Sequence, residues 1–327
     1  MKSLRYWVPL APMLLALPAT GLLHGSLKEQ RSRLGLIRGL ELEQAPPALA
    51  FTTVALGAFR GLVANGLWSR AVRLQDRGEY FELVPLANWI TQLQPDNGLV
   101  WAMQSWNLTY NLSVQFDNPA DRWRWVRQGI GLLRDQGIRY NPHSIDLYRE
   151  LAWFYQDKIG SNTDHAHRFF KRAWAIEMGE VLGLHRGPGA FVQPQTDEDR
   201  AAAELLRERY HLDPAQMQRI DVEYGPFDWR LPEPHAIYWA RVGLERCRDA
   251  DDIIRLRRVI WQNVERSFQR GRIVGSGAES ELEYGPNLDL IPNAWRVYED
   301  MKKQEPGRED YIGRGQRNFI REAICLL

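Results

Sequence analysis

Apolar residues recur at helical spacing along most of this chain, and strand-like alternation is rare. Between residues 56 and 182 the pattern is interrupted by Gly78, Pro95, Pro119 and Pro142, which are residue types that separate helices. The intervening segments predict helices at about 48–77, 79–94, 98–116, 119–136, 144–159 and 164–182. Because the connections are short, consecutive helices should pack antiparallel. The pattern therefore predicts an all-α protein.

A repetition lies within this helical region. The phrase LQPDNGLVW at 93–101 corresponds to YNPHSIDLY at 140–148, so Pro95 and Pro142 mark equivalent points 47 residues apart. An isolated helical hairpin cannot bury both of its apolar faces, whereas stacked hairpins can. The repetition therefore predicts a series of stacked helical hairpins.

The segment from Gly78 to Pro95 resembles the second half of a tetratricopeptide repeat. GEYFEL, LANWI and LQPDN supply a turn glycine, an aromatic residue two positions later and a proline 17 residues after the glycine. Leu83 and Ile90 stand where that family prefers small side chains, and the 47-residue offset exceeds the family's usual length of about 34. The resemblance covers about three units over residues 60–182.

This resemblance implies an α-solenoid whose first helices line a groove that receives a peptide or helix of another protein. Its polar groove candidates are Asn107, Asn111, Arg149 and Gln156. Asparagine suits this role because its amide both donates and accepts hydrogen bonds. Tyr80 and Trp101 are assigned to the junction between two units, with Trp89 packed nearby. The whole chain is also similar to bacterial membrane-associated proteins with tetratricopeptide-like repeats, which adds no mechanism.

The N-terminus predicts attachment to a membrane. Lys2 and Arg5 precede an uncharged stretch of 17 residues, 7–23, which is at the lower limit for a membrane-spanning helix. Its prolines disfavour a soluble helix but are tolerated in a membrane, and no clear cleavage site follows. We expect an uncleaved, single-pass anchor rather than a cleaved signal. A basic N-terminus followed by an apolar segment is the layout of a signal anchor, which favours a body on the extracytoplasmic face. The basic residues at 28–33 favour a cytoplasmic body instead. We expect the extracytoplasmic location.

Composition excludes some partners. The 42 basic and 41 acidic residues leave a formal charge of +1, so no nucleic-acid partner is expected. Cys247 and Cys325 lie far apart and in no metal-binding spacing, which leaves one disulfide between them as an open alternative. The 13 tryptophans suit helix contacts, protein interfaces or ligand grooves.

No catalytic, metal or cofactor motif emerges from the chain. His165 and His167 are two positions apart, so on a helix they point in nearly opposite directions and cannot comfortably share a metal. Thr163 or Asp164 instead predicts the start of a helix that holds both histidines in its first turn. We expect neither enzymatic activity nor a cofactor.

The segment DRWRWVRQG at 121–129 alternates tryptophan with arginine. Such a pattern can bind RNA bases, anionic glycans or lipid headgroups. The preferred interpretation is that one tryptophan packs between hairpins while the arginines lie over it and pair with acids.

The second half contains a repetition of its own. VEYGPFDWRLPEPHAIYWARV from residue 222 aligns with LEYGPNLDLIPNAWRVYEDM from residue 282, an offset of 60 residues. Pro234 and Pro292 suit the first turns of helices, so two related loop-and-helix units are predicted. These loops are either structural turns or contacts for a partner. The candidate contact residues are Tyr224, Asp228, Tyr284 and Asp289.

The predicted function is that of a membrane-anchored scaffold that binds another protein. The first alternative, a structural subunit of a larger membrane or envelope complex, predicts exposed apolar patches. The second, a glycan- or lipid-binding module, predicts a deep pocket near Trp123, Trp229 or the two EYGP loops. The predicted segments are an anchor at 1–27, a linker at 28–47, repeats at 48–183, a boundary loop and short helix at 184–214, and a C-terminal helical region at 215–327.

Overall fold

The computed structural model describes residues 60–183, 187–246, 250–274 and 282–326, together with Gln30. The chain divides into two units, Met1–Gly57 and Ala58–Leu327, and every helix and strand from Arg60 onward belongs to the second. The predicted anchor at 7–23 lies outside the described residues. Within the described ranges, no helix combines the length and the apolar character that crossing a membrane requires.

The first half of the described chain is a succession of helices close to the predicted positions, while residues 48–59 of the first predicted helix lie outside the described residues. They are α1 Arg60–Asp76, α2 Tyr80–Leu93, α3 Gly98–Trp106, α4 Pro119–Gly131, α5 Ile145–Trp153 and α6 His167–Leu182. Three of these helices continue as π-helix, α3 through Asn107–Leu112, α4 through Leu132–Gly137 and α5 through Phe154–Ile159. A 3-10 turn at Ser113–Gln115 then ends α3, and a helical turn at Ile138–Tyr140 ends α4.

The second half adds further helices and one short pair of strands. The helices are α7 Gly189–Val192, α8 Asp197–Arg209, α9 Pro214–Tyr224, α10 Pro232–Arg246, α11 Ala250–Arg270, α12 Ile291–Gln304 and α13 Glu309–Leu326, with a 3-10 turn at Leu288–Leu290. Strand β1, Arg272–Ile273, pairs antiparallel with β2, Tyr284–Gly285. The protein is therefore all-α, as the sequence predicts.

Local capping sets several helix starts. The Asn97 side chain accepts a hydrogen bond from the Leu99 amide at 3.2 Å and so caps α3. Pro234 and Pro292 lie in the first turns of α10 and α12, as predicted.

The predicted start of α6 needs a correction. Asp164 accepts a hydrogen bond from the Ala166 amide at 2.8 Å, but this bond closes a turn that precedes the helix. The helix itself begins at His167, so His165 does not lie in its first turn. An aspartate can cap such a turn as well as a helix, and the sequence pattern does not distinguish the two.

Helices α3 and α5 are built alike, 47 positions apart. Each changes from α- to π-helix after a tryptophan, at Trp106 in α3 and at Trp153 in α5. The two helices also pack directly against each other. The phrases that contain Pro95 and Pro142 therefore precede two helices of the same construction.

Packing of successive helices produces the core. Helix α1 packs on α2, and α2 packs on α3. Helix α5 contacts both α3 and α10, and α10 also packs on α11. Trp101 is 3% exposed and stacks on Tyr140 with ring centroids 5.6 Å apart, which confirms that it lies between helices. The prediction that Trp89 is packed is wrong, because 64% of its surface is exposed.

In the basic and aromatic segment at 121–129, two parts of the preferred interpretation are confirmed: one tryptophan is packed, and the arginines pair with acids. Trp123 is buried and stacks on Phe170 with centroids 5.7 Å apart. The neighbouring arginines pair with acids: Arg122 with Asp164 at 3.5 Å, Arg124 with Asp121 at 3.4 Å and Arg127 with Glu177 at 3.3 Å.

Candidate functional site

A cluster of aromatic rings, of which two tryptophans are exposed and Phe154 is fully buried, lies where α3 and α5 meet. Trp106 and Trp153 occupy equivalent positions on these helices and are 39% and 38% exposed. The Tyr110 ring stacks on Trp106 with centroids 4.1 Å apart and lies 5.9 Å from the Phe154 ring. We call Trp106, Tyr110, Trp153 and Phe154 the aromatic face. Partly exposed tryptophan and tyrosine side chains are typical of protein interfaces.

Tyr110 is held on several sides. Its hydroxyl donates a hydrogen bond to Asp157 Oδ2 at 3.0 Å, and Trp153 hydrogen-bonds the same hydroxyl. Lys158 Nζ lies 4.9 Å from the centroid of the Tyr110 ring. Burial first, and then the charge and hydrogen bond of Asp157, raise the pKa of Tyr110 far above its usual value. The phenol therefore stays neutral, and its ring is held by Trp106, Asp157 and Lys158.

Glu150 lies one helical turn before Phe154, and its carboxyl group has a raised pKa. Burial raises the pKa of Glu150 to about 7, although the charge of Arg149 opposes this shift. Its Oε1 atom is enclosed and has no hydrogen-bond partner among the described residues. Arg149 instead pairs with Asp146 at 3.1 Å. At neutral pH this carboxyl group is thus close to half ionised.

The polar groove candidates lie on the helices that carry the aromatic face. Asn107 is 1% exposed and donates to the Tyr80 carbonyl at 3.4 Å, while the half-buried Asn111 donates to Asn107 Oδ1 at 3.2 Å. Gln156 is 2% exposed, and its amide bonds Gln262 at 2.8 Å and Asn263 at 2.9 Å. Arg149 is half-buried. The amides of Asn107 and Gln156 are therefore occupied inside the chain.

The aromatic face contains residues that the groove prediction omitted. Trp106 and Trp153 are 47 positions apart, the same offset as Pro95 and Pro142. This shared offset could have identified the two tryptophans from the sequence, because it places them at equivalent points of two repeated units.

The two EYGP loops have different local structures but lie side by side. Tyr224 ends helix α9, whereas Tyr284 lies in strand β2. Asn287 donates to the Pro226 carbonyl at 2.8 Å, and Arg296 donates to the Glu223 carbonyl at 2.6 Å. Hydrogen bonds between the loops therefore join the two related sequence segments.

A cavity of about 480 Å³ lies beside these loops, and its lining includes both candidate aspartates. Asp228 pairs with Arg230 at 2.6 Å, and Asp289 pairs with Arg272. Both carboxylates are thus engaged with neighbouring arginines. A third carboxyl group in the lining, Asp221, instead accepts hydrogen bonds from the Phe227 amide at 2.9 Å and from the Trp229 indole N–H at 3.0 Å.

In the described ranges, no group of three or more histidine, cysteine, aspartate or glutamate side chains is placed to hold a metal ion. Cys325 is exposed and is a free thiol, and Cys247 lies outside the described residues. The architecture defines the class of the protein as all-helical. No protein-family model, no curated protein and no solved structure matches the chain.

Proposed function

We propose that the protein is a membrane-tethered scaffold whose aromatic face binds a basic segment of another protein. In this proposal the helical hairpins form a tetratricopeptide-like solenoid, and residues 7–23 anchor it with the body on the extracytoplasmic side. The observation that carries the proposal is the pair of exposed tryptophans, Trp106 and Trp153, at equivalent positions beside the ordered Tyr110.

The chemistry of this surface favours a partner with lysine or arginine side chains. The exposed rings of Trp106 and Trp153 can attract cations over their faces, whereas the Tyr110 ring already stacks on Trp106 and meets Lys158. Tryptophan and tyrosine side chains also dominate the energetics of many interfaces. Glu150 strengthens the preference, because a cation that approaches its carboxyl group stabilises the ionised form. The aromatic rings and Glu150 each contribute little to the binding free energy, but together they favour a basic segment over an acidic one.

The rigidity of the aromatic face supports recognition as well. Association costs free energy for every side chain that must become ordered. Tyr110 is already fixed by Trp106, Asp157 and Lys158. Less ordering is therefore required when a partner binds.

A peptide-binding experiment tests the proposal with a matched control. Helical peptides that carry lysine and leucine would be titrated against the full-length protein, with glutamate-for-lysine peptides as the comparison. We expect binding of the basic peptide to weaken at least about tenfold in Trp106→Ala and Trp153→Ala, since truncation of a central aromatic residue often costs about 2 kcal/mol. Trp89→Ala is the control, because Trp89 is 64% exposed on a different helix.

Affinity capture from detergent-solubilised membranes, with the same variants, connects the surface to a natural partner. We expect a stoichiometric protein that is retained by Trp89→Ala and lost from the Trp106→Ala, Trp153→Ala double variant. Equal affinity for basic and acidic peptides would refute the proposal. Retention of the partner by the double variant would do so too, and would favour a structural subunit that uses other surfaces.

A further inference from the structure

A second cavity, of about 510 Å³, lies away from the aromatic face, between the starts of α6 and α10, the end of α11 and strand β2. We call it the basic cavity. Its cationic lining residues are Arg168, Lys171, Arg172 and Arg270. Its volume falls within the range of small-molecule sites.

Positive charge is in excess in this cavity. Among the described lining residues, four lysine or arginine side chains face one carboxylate, Glu233. Glu233 is 3% exposed and pairs with Arg270 at 3.1 Å. Arg168, Lys171 and Arg172 follow one another at helical i, i+3 and i+4 spacing, so they share a face of α6.

Lys171 is the most enclosed of these cations, with 7% of its surface exposed. Its Nζ atom donates to the Ser161 carbonyl at 3.1 Å and to the Asn162 side chain, and lies 3.4 Å from His167 Nδ1. Burial first, and then the charge of Arg270, lower the pKa of Lys171 to about 8, although Glu233 opposes this. Neutral groups therefore hold the ammonium group in place without cancelling its charge.

His167 lies in the same positive field, 3.4 Å from Lys171. Burial, followed by the charges of Lys171 and Arg168, lowers the pKa of His167, against the opposing charge of Asp164. Two helices of 16 and 15 residues, α6 and α10, also begin at this cavity, and helix N-termini carry partial positive charge.

Apolar residues also line the basic cavity. They are Phe169, Leu231 and Leu282, and Tyr284 belongs to the lining as well. A lining that contains both apolar side chains and a cluster of cations matches a ligand that has both a hydrocarbon part and an anionic group. Burial of the hydrocarbon away from water would strengthen binding.

We propose that the basic cavity binds a small ligand with a phosphate or carboxylate head and an apolar body. The head would lie against the cations of α6 and Arg270, and the body against Phe169, Leu231 and Leu282. Arg168 and Arg172 also interact with other groups of the chain, so the anion would join or replace those interactions. This inference is independent of the proposed function, because it concerns another surface.

Short, soluble probes test the proposal on the full-length protein by isothermal titration calorimetry. Butyl phosphate and butanoate have the two head groups, n-butanol has neither, and inorganic phosphate lacks the apolar body. We expect butyl phosphate or butanoate to bind more tightly than n-butanol and inorganic phosphate, with an affinity that falls as salt is added. The stronger of the two anions identifies the head group.

Variants then locate the site. Arg172 is exposed, so Arg172→Gln should fold normally and weaken binding of the stronger probe at least about fivefold, the range expected for one charge-assisted hydrogen bond. Arg207→Gln, an exposed arginine on α8, is the matched control and should bind as the unmodified protein does. Lys171→Met should weaken binding further, with circular dichroism to verify its fold.

Three results would overturn the proposal: equal binding of n-butanol and the anions, no measurable binding of any probe, or equal affinity in Arg172→Gln and Arg207→Gln. Loss of peptide binding in the tryptophan variants would leave these measurements unchanged. Failure of one proposal is therefore distinguishable from failure of the other.

Discussion

Trp101 and Tyr148 make the same kind of hydrogen bond at equivalent points of two helices. The Trp101 indole N–H donates to the Pro95 carbonyl at 2.8 Å, and the Tyr148 hydroxyl donates to the Pro142 carbonyl at 2.9 Å. Both side chains are buried. Each one joins a helix to the turn that precedes it, so different residue types fulfil one structural role 47 positions apart.

Removal of the Tyr148 hydroxyl tests this role. Tyr148→Phe keeps the ring but leaves the Pro142 carbonyl without this donor, so the free energy of unfolding should fall by about 1 kcal/mol. Tyr311→Phe is the control, because Tyr311 is 64% exposed, and it should change stability by less than about 0.5 kcal/mol. Urea denaturation of both variants measures the difference. Equal stability of the two would show that the hydrogen bond does not support the fold.

Helix positions followed from the sequence because their signals are local. Prolines, glycines and capping asparagines mark the ends of α2 to α5, and apolar spacing identifies what lies between them. The direction in which each side chain points was harder to predict, because such a prediction assumes a regular α-helix with 3.6 residues per turn. In the π-helical segments after Trp106 and Trp153 the backbone bonds run from i to i+5, which changes the spacing there. Asn107 and Gln156, which the resemblance to tetratricopeptide repeats gave as groove residues, lie in or at the start of these segments and are buried.

The EYGP loops show that a local sequence motif does not predict long-range pairing. Identical tetrapeptides predicted related units, but Tyr284 pairs with Ile273 in a short strand, whereas Tyr224 ends a helix. Strand pairing depends on a partner elsewhere in the chain, and a local motif contains no information about that partner. The hydrogen bonds between the two loops are of the same long-range kind.

Gly129 marks a close crossing of α4 over the π-helical continuation of α3. A Cβ atom at this position would lie 2.8 Å from the Ser105 carbonyl oxygen and closer still to the Thr109 hydroxyl. Gly129→Ala should therefore destabilise the protein by about 1–3 kcal/mol. Gly131→Ala, in the same helix, meets nothing nearer than Asp135 at 3.5 Å and should be neutral or slightly stabilising. Thermal unfolding distinguishes them, and equal melting temperatures would contradict the close crossing.

Asp164 and Lys158 form a buried ion pair with an Oδ2–Nζ distance of 2.8 Å. Replacing Asp164 by asparagine leaves the Lys158 charge enclosed, which should cost about 3 kcal/mol of stability. Asp146→Asn interrupts an exposed pair with Arg149 and should cost less than about 1 kcal/mol. Combining Asp164→Asn with Lys158→Met should recover part of the loss, because the enclosed Lys158 charge is then removed, although Arg122 still lacks its Asp164 partner. A double variant less stable than Asp164→Asn would contradict this account.

The same pair predicts sensitivity to acid. Burial alone would raise the pKa of Asp164, but Lys158, the Ala166 amide and Arg122 together lower it below the usual value. The resulting stability is present above the unfolded pKa of about 3.9 and is lost as pH falls through the folded pKa. Urea denaturation between pH 5 and pH 2 should therefore show a smaller decline in Asp164→Asn than in the unmodified protein.

Glu150 should make peptide binding depend on pH if a basic segment occupies the aromatic face. With a pKa of about 7, its carboxyl group is mostly protonated at pH 6 and mostly ionised at pH 8. A basic peptide prefers the ionised form, so its affinity should rise up to about tenfold across this interval. Glu150→Gln should bind with nearly constant affinity. An affinity that is flat in the unmodified protein would show that Glu150 does not contact the peptide's charge.

His235 should make stability depend on pH in a different range. Its side chain is fully buried among Tyr155, Trp174 and Trp229, and its Nε2–H donates to the Trp229 carbonyl at 2.8 Å. Burial lowers the pKa of His235 to about 4, although this hydrogen bond opposes the shift. Between pH 6.5 and pH 4 the unfolded chain thus holds a proton that the folded chain excludes.

The contribution of His235 to stability should therefore fall with decreasing pH by up to about 1.4 kcal/mol per unit in that range, or roughly 3 kcal/mol in all. Burial raises the pKa of Glu150 to about 7, so Glu150 contributes in the opposite direction over the same range, in the unmodified protein and in the variants alike. His235→Gln should remove this part of the slope, whatever its effect on stability at pH 7, because glutamine does not titrate. Tyr148→Phe is the control, since it lowers stability but retains His235 and should keep the slope. If the slopes of the unmodified protein and His235→Gln coincide in urea denaturation between pH 7 and pH 4, then His235 is not excluded from protonation in the folded chain.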